Sequence, residues 1–477
     1  MLKKIAPLII LVLALSACND QLDEININQN ATEHPRAPFL LTGVQKQGAD
    51  LYWGSENNYG STLLFVQFWA SIQYPEADRF DLANTDFTSL WNKGYATLIT
   101  DLNTIINFPK EEANDNYKGI ALSLRSWVFL LLTDAYGNIP YTEAGQKMTP
   151  AYDTQRDVYL GLLKDLATAQ SLLNTSAEKV TGDVVYNDDK GYADIAKWKK
   201  FTNSLRLRIA LRIADREPDL AKQEIINVVN DGAGLISSNS EIFQFIYRSS
   251  PQQNPIAAIF ETRDDDRISQ TIVNKLYELE DPRLSVFAQL PSDNSVGKYV
   301  GLPNAVDNPS SWGFTKTSKP GAYFLKSESP AVIFSYAEVQ FGLSEAVARG
   351  FITGDAENYY KQAITASLNQ FGVTDTAIVG RYLRQPSVKY NAANYKKSIG
   401  EQKWIAFYGQ GLDAFAEWRR LDYPELKAGS ASVLDGKIPV RFFYPGTEQS
   451  LNGKSYKAAV ENQGEDLLTT RLWFDVK

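Results

Sequence analysis

One histidine and one cysteine in 477 residues leave little from which to build a nucleophilic or metal-based site. His34 lies in a polar stretch near the N-terminus. A lone imidazole excludes a multi-histidine metal centre and supplies neither a Ser-His-Asp nor a Cys-His arrangement. Carboxylates need fewer partners, because two acidic groups flanking one bond suffice for glycoside hydrolysis. Adjacent acids occur at Glu111-Glu112, Asp188-Asp189 and Asp264-Asp265-Asp266, but all three sets lie in polar segments, where runs of like charge are usually solvated. Asn187-Asp188-Asp189-Lys190-Gly191 lacks the alternating oxygen ligands and distal glutamate of an EF-hand loop. These groups predict no enzyme, no metal and no cofactor.

The residues in excess are aromatic: 9 Trp, 25 Tyr and 23 Phe, or 12% of the chain. Sugar rings present C–H faces that stack on Trp and Tyr, while their hydroxyls need amide, carboxylate or guanidinium partners. Aromatics in polar, non-periodic segments have no helix face to join and are the candidates for such stacking. They fall in Tyr52-Trp53-Gly54-Ser55-Glu56-Asn57-Asn58-Tyr59, in Gln73-Tyr74-Pro75, and in the segment holding Tyr299, Trp312, Phe314 and Tyr323. The expected platform is Trp312 with Tyr299 or Tyr323 and an N-terminal partner, Trp53 or Tyr74. Trp312, between Ser311 and Gly313, leads the set; a tryptophan there can equally pin a long loop to the body, and the residues alone leave both readings open. Trp91, Trp127, Trp198 and Trp404 sit on helical stripes and are expected in the core.

Helical periodicity must position these rings. It runs over Thr88–Ile106, with Leu90, Trp91, Tyr95, Leu98, Leu102 and Ile105 spaced for one face, and over Tyr117–Tyr136, Arg156–Leu173, Asp194–Asp215 and Leu220–Val229. The fourth carries arginines at 206, 208 and 212. Residues 232–330 alternate short apolar runs with Pro, Gly, Ser and Asn, and only Gln270–Leu279 is helical in pattern. This stretch is expected to be a loop-rich insertion carrying the ligand surface. Helices resume at Val332–Arg349, Ala356–Phe371 and Gly400–Arg420, and residues 438–477 are irregular. The pair 332–349 and 356–371 has the length of one tetratricopeptide hairpin, about 34 residues, with Ala346 and Ala363 where the helices would cross. The fold expected is mainly α: helical hairpins forming one scaffold over 39–477.

The N-terminus reads as an address. Lys3 and Lys4 precede a short apolar run, Ile5 to Leu15, too short to span a bilayer, and Leu15-Ser16-Ala17-Cys18 ends it. That ending resembles a lipobox, with 1–17 removed and Cys18, the chain's sole cysteine, acylated. Residues 18–38 are polar, Asn-rich and aperiodic, a tether from lipid to fold. Asp20, Asp23 and Glu24 resemble the export signals that bring such lipoproteins to the cell surface. A net charge of -8 argues against nucleic acid or an anionic lipid surface as a partner.

Several strings, taken in order, resemble the SusD/RagB family of outer-membrane nutrient-binding lipoproteins, in its SusD-like branch. They are Leu132-Thr-Asp-Ala-Tyr-Gly-Asn-Ile-Pro-Tyr141, Asp194-Ile-Ala-Lys-Trp198 with Phe201-Thr-Asn-Ser-Leu-Arg-Leu-Arg208, and Ser335-Tyr-Ala-Glu-Val339 with Ser344-Glu-Ala346. Trp404-Ile-Ala-Phe407, Glu417-Trp-Arg-Arg420 and Tyr423-Pro424 follow. Ile438-Pro-Val-Arg441, Tyr444-Pro445, Glu448, Asn452 and Leu472-Trp-Phe-Asp475 close the chain. Gly411-Leu412-Asp413-Ala414-Phe415 departs from the glutamate and tryptophan often found there. The resemblance implies a surface lipoprotein that captures a glycan and passes it to a SusC-like, TonB-dependent outer-membrane transporter. A RagB-type oligopeptide cargo and a ligand-free structural lipoprotein are the alternatives. Most matched residues are scaffold: Asn203, Arg206, Arg419 and Asp475 are expected to bond loops to helices, and Asp134, disfavoured at a helix C-terminus, to serve a loop.

Overall fold

The computed structural model describes residues 35–476; the signal segment 1–17, Cys18, the acidic residues after it and His34 lie outside the described residues. The first helix, α1 (Ala37–Trp53), starts with Pro38 in its first turn, a position where the missing N–H costs nothing. It therefore begins inside the stretch expected to be tether. Beyond the helical stretch at 88–107 comes α2 (Asp115–Tyr136), opened by Asn114, whose side chain accepts from the backbone N–H of Asn116 and Tyr117. Thr154 caps α3 (Gln155–Leu172) and Asp194 caps α4 (Ile195–Ile213) in the same way. With α5 (Pro218–Val229) the last four form a run in which α2 packs on α3, α3 on α4 and α4 on α5.

Gln270–Glu278 forms α6. A second run holds α7 (Tyr336–Ala348), α8 (Ala356–Gln370), α9 (Tyr395–Ala406) and α10 (Gly411–Leu421). The α7–α8 pair is the expected hairpin. Ala346 and Ala363 are buried where it crosses, as are Leu343, Tyr360 and Ile364, while Tyr336 at the start of α7 is half-buried. The runs join where α7 packs on α4. Mainly helical architecture is thus the outcome, with four short strands among the described residues: β1 (Trp69–Ser71), β2 (Phe243–Phe245), β3 (Asp266–Ile268) and β4 (Ala331–Phe334). They pair antiparallel as β1–β3 and β2–β4.

Several expected boundaries move, each for a local reason. Val332 to Phe334 belong to β4, because Ser335 caps α7 by accepting from Glu338 N. The helix expected over 400–420 breaks between α9 and α10 at Gly409, whose φ of +95° only glycine adopts freely. Within the expected loops of 232–330, Pro255–Phe260, Leu284–Phe287 and Ala322–Leu325 are helical, and β2 and β3 pair with strands outside or beside them. Residues 446–463, expected to be irregular, form the helices Gly446–Leu451 and Gly453–Gln463. Thr88–Asn107 is helical as expected, with a π-helical turn at Gly94–Ile99.

The scaffold is tied by buried ions. Arg212 of α4 meets Asp134 of α2 at 2.9 Å and also Glu417 of α10. Glu417 further pairs with Lys403 at 2.8 Å and Arg420 at 2.7 Å. Arg420 reaches Glu345 of α7 at 2.5 Å, and Glu345 joins Arg349, which meets Asp215 at 2.7 Å. Beside this chain Arg208 serves two carboxylates, Glu338 at 2.6 Å and Asp413 at 3.0 Å. Burial, only partly offset by that one guanidinium, raises the pKa of both. Asp134 does not serve a loop: its other oxygen accepts from Tyr159 Oη of α3 at 2.6 Å, so helices on both sides compensate its place at a helix C-terminus. Asn203 and Arg419 are buried and bond loops as expected, to Gly234 O and to Val440 O, the latter also reaching Asp134 O; Arg206 instead ties two helices, pairing with Glu224 of α5.

Candidate ligand-binding surface

Four chain segments lie side by side at one edge of the molecule. β1 pairs with β3, placing Trp69 opposite Ile268 and Ser71 opposite Asp266. On the far side of β3, Ile268 N donates to Ser318 O at 3.0 Å and Arg267 Nε to Thr317 Oγ1 at 3.1 Å. Ser318 N in turn donates to Val300 O at 2.8 Å. The turn after β1, the turn before β3, the 312–319 loop and the 299–300 strip are therefore neighbours, although they are far apart in sequence.

This edge carries exposed rings. Tyr74 is 60% exposed, Trp312 39% and Phe314 36%. Tyr74 has φ +53°, a left-handed conformation unusual for an aromatic residue and of the kind that concentrates at functional positions. The preceding turn is held by Ile72 N and Gln73 N, both donating to Asp265 O. The Arg263 guanidinium lies 5.2 Å from the Tyr74 ring centre and pairs with Asp265. Trp312 ends a 3₁₀ turn, Pro309–Trp312, and the following Gly313, at φ +83°, reverses the chain. Among the described residues Trp312 stacks on no other aromatic. Arg267 sits 5.4 Å from the Phe314 ring centre and donates to Phe314 O at 3.0 Å. Asp264 accepts from Arg267 Nη1 at 2.7 Å and pairs with Lys319 at 2.9 Å.

Beneath the rings the support is rigid. Ala70, Ile72 and Leu302 form a small apolar cluster of their own. Asp78 is buried and accepts from Asn304 Nδ2 at 2.6 Å and Ala305 N at 2.9 Å, while Asn304 also donates to Trp69 O at 2.7 Å. Burial raises the Asp78 carboxyl to about 7. Asp266 accepts from Ser71 Oγ at 2.8 Å, and burial raises it to about 6.

Tyr74 and Trp312 thus reach one edge, together with Phe314. Tyr299 is on the adjoining strip but half-buried, with its backbone N donating to Tyr277 Oη at 2.9 Å. Tyr323 is elsewhere: half-buried, its ring 5.5 Å from Phe371 and 4.9 Å from Phe324 in edge-on core contacts. Trp53 is corrected outright. At 2% exposure it ends α1 in the core, close enough to Gly409 that a Cβ there would come within 3.0 Å of its ring. The polar residues after it mislead, because Asn57 and Asn58 are themselves buried and bond to Leu51 O, Gly409 O and Gly411 N. Arg263, Asp264 and Lys319 were missed, since Asp264-Asp265-Asp266 reads in sequence as solvated charge. The flanking Arg263 and Arg267, one on each side of the run, were the available signal.

The other acidic runs are structural or exposed. Asp188 Oδ1 accepts from Lys190 N and Tyr192 N, closing its own turn; Glu111 and Glu112 are exposed. No cluster of three His, Cys, Asp or Glu side chains fit for a metal occurs among the described residues. Nor is any described helix long and apolar enough to cross a membrane. Trp91, Trp127, Trp198 and Trp404 are core, as expected.

Residues 28–445 match a SusD-like family model described as "Starch-binding associating with outer membrane". No curated protein matches the chain. Among solved structures, a chitin-binding protein is 29% identical, with 93% of this chain and 100% of that one covered and a TM-score of 0.81. A SusD homolog from Bacteroides uniformis is 27% identical, covering 92% and 100%, with a TM-score of 0.82. A chitin-binding SusD homolog from Flavobacterium johnsoniae, 24% identical over 92% of this chain and 98% of that one, shares the fold at a TM-score of 0.80.

Proposed function

The chain belongs to the SusD-like family of starch-binding proteins that associate with the outer membrane, and from that premise we propose that it captures a glycan at the cell surface and hands it to a SusC-like, TonB-dependent transporter. The observation that carries this reading is the edge where Tyr74, Trp312 and Phe314 stand exposed among Arg263, Asp264 and Lys319. Rings offer apolar faces to the C–H side of sugars, and the flanking charged groups donate to and accept from hydroxyls. Trp312 and Tyr74 are the residues assigned to stacking, with Tyr299 at the border. Tyr323, packed against Phe324 and Phe371, takes no part in it.

Anchoring belongs to the same reading. Acylation at Cys18 would hold the chain on a membrane through its lipid, with the helical body outside it. Likeness to a chitin-binding protein, at 29% identity, favours a polysaccharide fragment as cargo. Isothermal titration of starch- and chitin-derived oligosaccharides into the purified protein tests the proposal. Saturable binding that Trp312→Ala weakens supports it. Oligopeptide binding with no soluble glycan bound replaces it by a peptide carrier, and no ligand of either kind leaves a structural lipoprotein.

A further inference from the structure

A second concavity, of about 820 Å³, lies at the C-terminal end of the scaffold and is built from segments that take no part in the aromatic edge. Its floor is fixed by internal bonds. Gln155 N donates to Asn138 Oδ1 at 2.8 Å and Gln155 Nε2 to Thr133 O at 2.7 Å; Gln463 accepts from Asn138 N at 2.7 Å and donates to Tyr136 O at 3.0 Å. The floor's polar groups are thereby satisfied within the protein. Chemistry is left to the rim, where three exposed arginines, Arg156, Arg216 and Arg471, stand on a chain of net charge -8.

The three are not equivalent. Arg156 pairs with Glu217, and Arg471 with Asp475 at 2.5 Å. Arg216 has no carboxylate partner among the described residues. Its Nε donates to Trp473 O at 2.6 Å, which holds the guanidinium beside the half-buried Trp473 ring, 5.9 Å from its centre, with both terminal amino groups left to a ligand. Arg471 also lines an adjoining cleft of about 590 Å³, whose wall holds a second half-buried indole, Trp418, and a second cation, Lys437. Two clefts therefore meet at one arginine, each with one tryptophan and at least one further cation.

We propose that this track binds a linear acidic oligosaccharide, with carboxylate-bearing sugar rings against Trp473 and Trp418 and their carboxylates on Arg216, Arg471 and Lys437. The assignment to a sugar rests on the glycan-binding reading above; the anionic character of the ligand rests on the arginines alone. An acidic peptide would use the cations but leave the two indoles without a matching flat apolar face. Guanidinium–carboxylate bonds are charge-assisted and bidentate, so a single rim arginine is expected to account for about a tenfold change in affinity.

The probes are oligogalacturonate and its methyl ester, titrated calorimetrically into the purified full-length protein in detergent. The free acid should bind, and esterification should weaken it at least about tenfold, because the rings are retained and only the charges are lost. Arg216→Gln and Lys437→Gln should each weaken the free acid to a similar degree, and added salt should weaken it further. Trp312→Ala should leave it unchanged. Arg216 is exposed and bonded through one carbonyl, so a melting curve is expected to show an intact fold; should it not, Lys437→Gln carries the test. Free acid that does not bind, or binds no better than its ester, overturns the proposal. So does loss of binding in Trp312→Ala with Arg216→Gln unaffected, which would move the ligand to the aromatic edge and leave the glycan reading standing. Oligoglutamate binding as tightly as oligogalacturonate would make the track a peptide site. Neutral glycans failing to bind while oligogalacturonate binds would sink the capture reading of the aromatic edge alone.

Discussion

Replacing Trp312 by alanine separates a ligand platform from a loop anchor. The side chain is 39% exposed, so of about 250 Å² for a tryptophan roughly 100 Å² remains for a sugar ring to cover. At about 25 cal/mol per Å² that area is worth at most about 2.5 kcal/mol, and imperfect coverage brings it to about 1–2. Affinity for the bound glycan should therefore fall about five- to thirtyfold. The fold should hardly notice, because the ring stacks on no other described aromatic and the 312–319 loop is fixed by backbone bonds and by Arg267. Isothermal titration with the glycan that the unaltered protein binds, and a thermal melt of the same sample, give both numbers. A melting temperature lowered by several degrees with affinity retained would make Trp312 a pin for its loop and refute the platform.

Trp198→Ala is the contrast: fully buried, and donating to Asp183 Oδ2 at 2.6 Å, it should cost about 3–5 kcal/mol in denaturant unfolding, with no selective effect on ligand. Glu417→Gln leaves Arg212, Lys403 and Arg420 without their shared carboxylate and should cost a similar 3–5 kcal/mol; a loss under about 1 would mean water already reaches the site. Asp78 and Asp266, raised by burial to about 7 and about 6, bind protons in the folded state that the unfolded chain has released, so stability should fall as pH rises from about 4 to 7. Burial opposes ionisation of Glu345 and Asp215 too, but Arg420 with Arg349, and Arg349 with Lys396, outweigh it and hold both at about 2. Their contribution is present above pH about 4 and lost on acidification. Melting temperature against pH should thus peak near pH 4–5, and a steady rise to pH 8 would contradict the assignment. Cys18→Ser should release the protein from the membrane fraction, and recovery of acylated mutant would exclude Cys18 as the anchor.

Legibility in the sequence followed the range of the interaction. Capped helices with one apolar face, such as α3 and α4, were placed to within a residue or two, since caps and period lie within each segment. The break between α9 and α10 was lost because it depends on a single glycine conformation at Gly409. Trp53 was misassigned because burial of its polar neighbours is decided by Gly409 and Gly411, some 350 positions away in the chain. For the same reason the platform could be named only as a set of candidates. That Tyr74 and Trp312 share an edge, while Tyr323 does not, follows from β1–β3 pairing and the 318–300 contact, which no local pattern encodes.

The buried ion chain explains why so small a surface can be precise in shape. Exchanging buried ions for apolar groups commonly leaves stability unchanged or higher, so their presence is weak evidence of strength. Their placement is the informative part. Asp134, Arg212, Glu345, Lys403 and Glu417 come from α2, α4, α7, α9 and α10, and a slip of any one helix would strand charge in the interior. Helices held in one register can then carry an edge that could not hold itself. β1 and β3 are three residues each, too short for independent stability, and depend on Asp78, Asn304 and Arg267 for their fixed shape. A ligand that meets rings already fixed in place loses little freedom on binding beyond its own. In the capture proposed above, a few exposed aromatics in the turns beside short strands suffice, because buried ions hold the helices beneath them in one register.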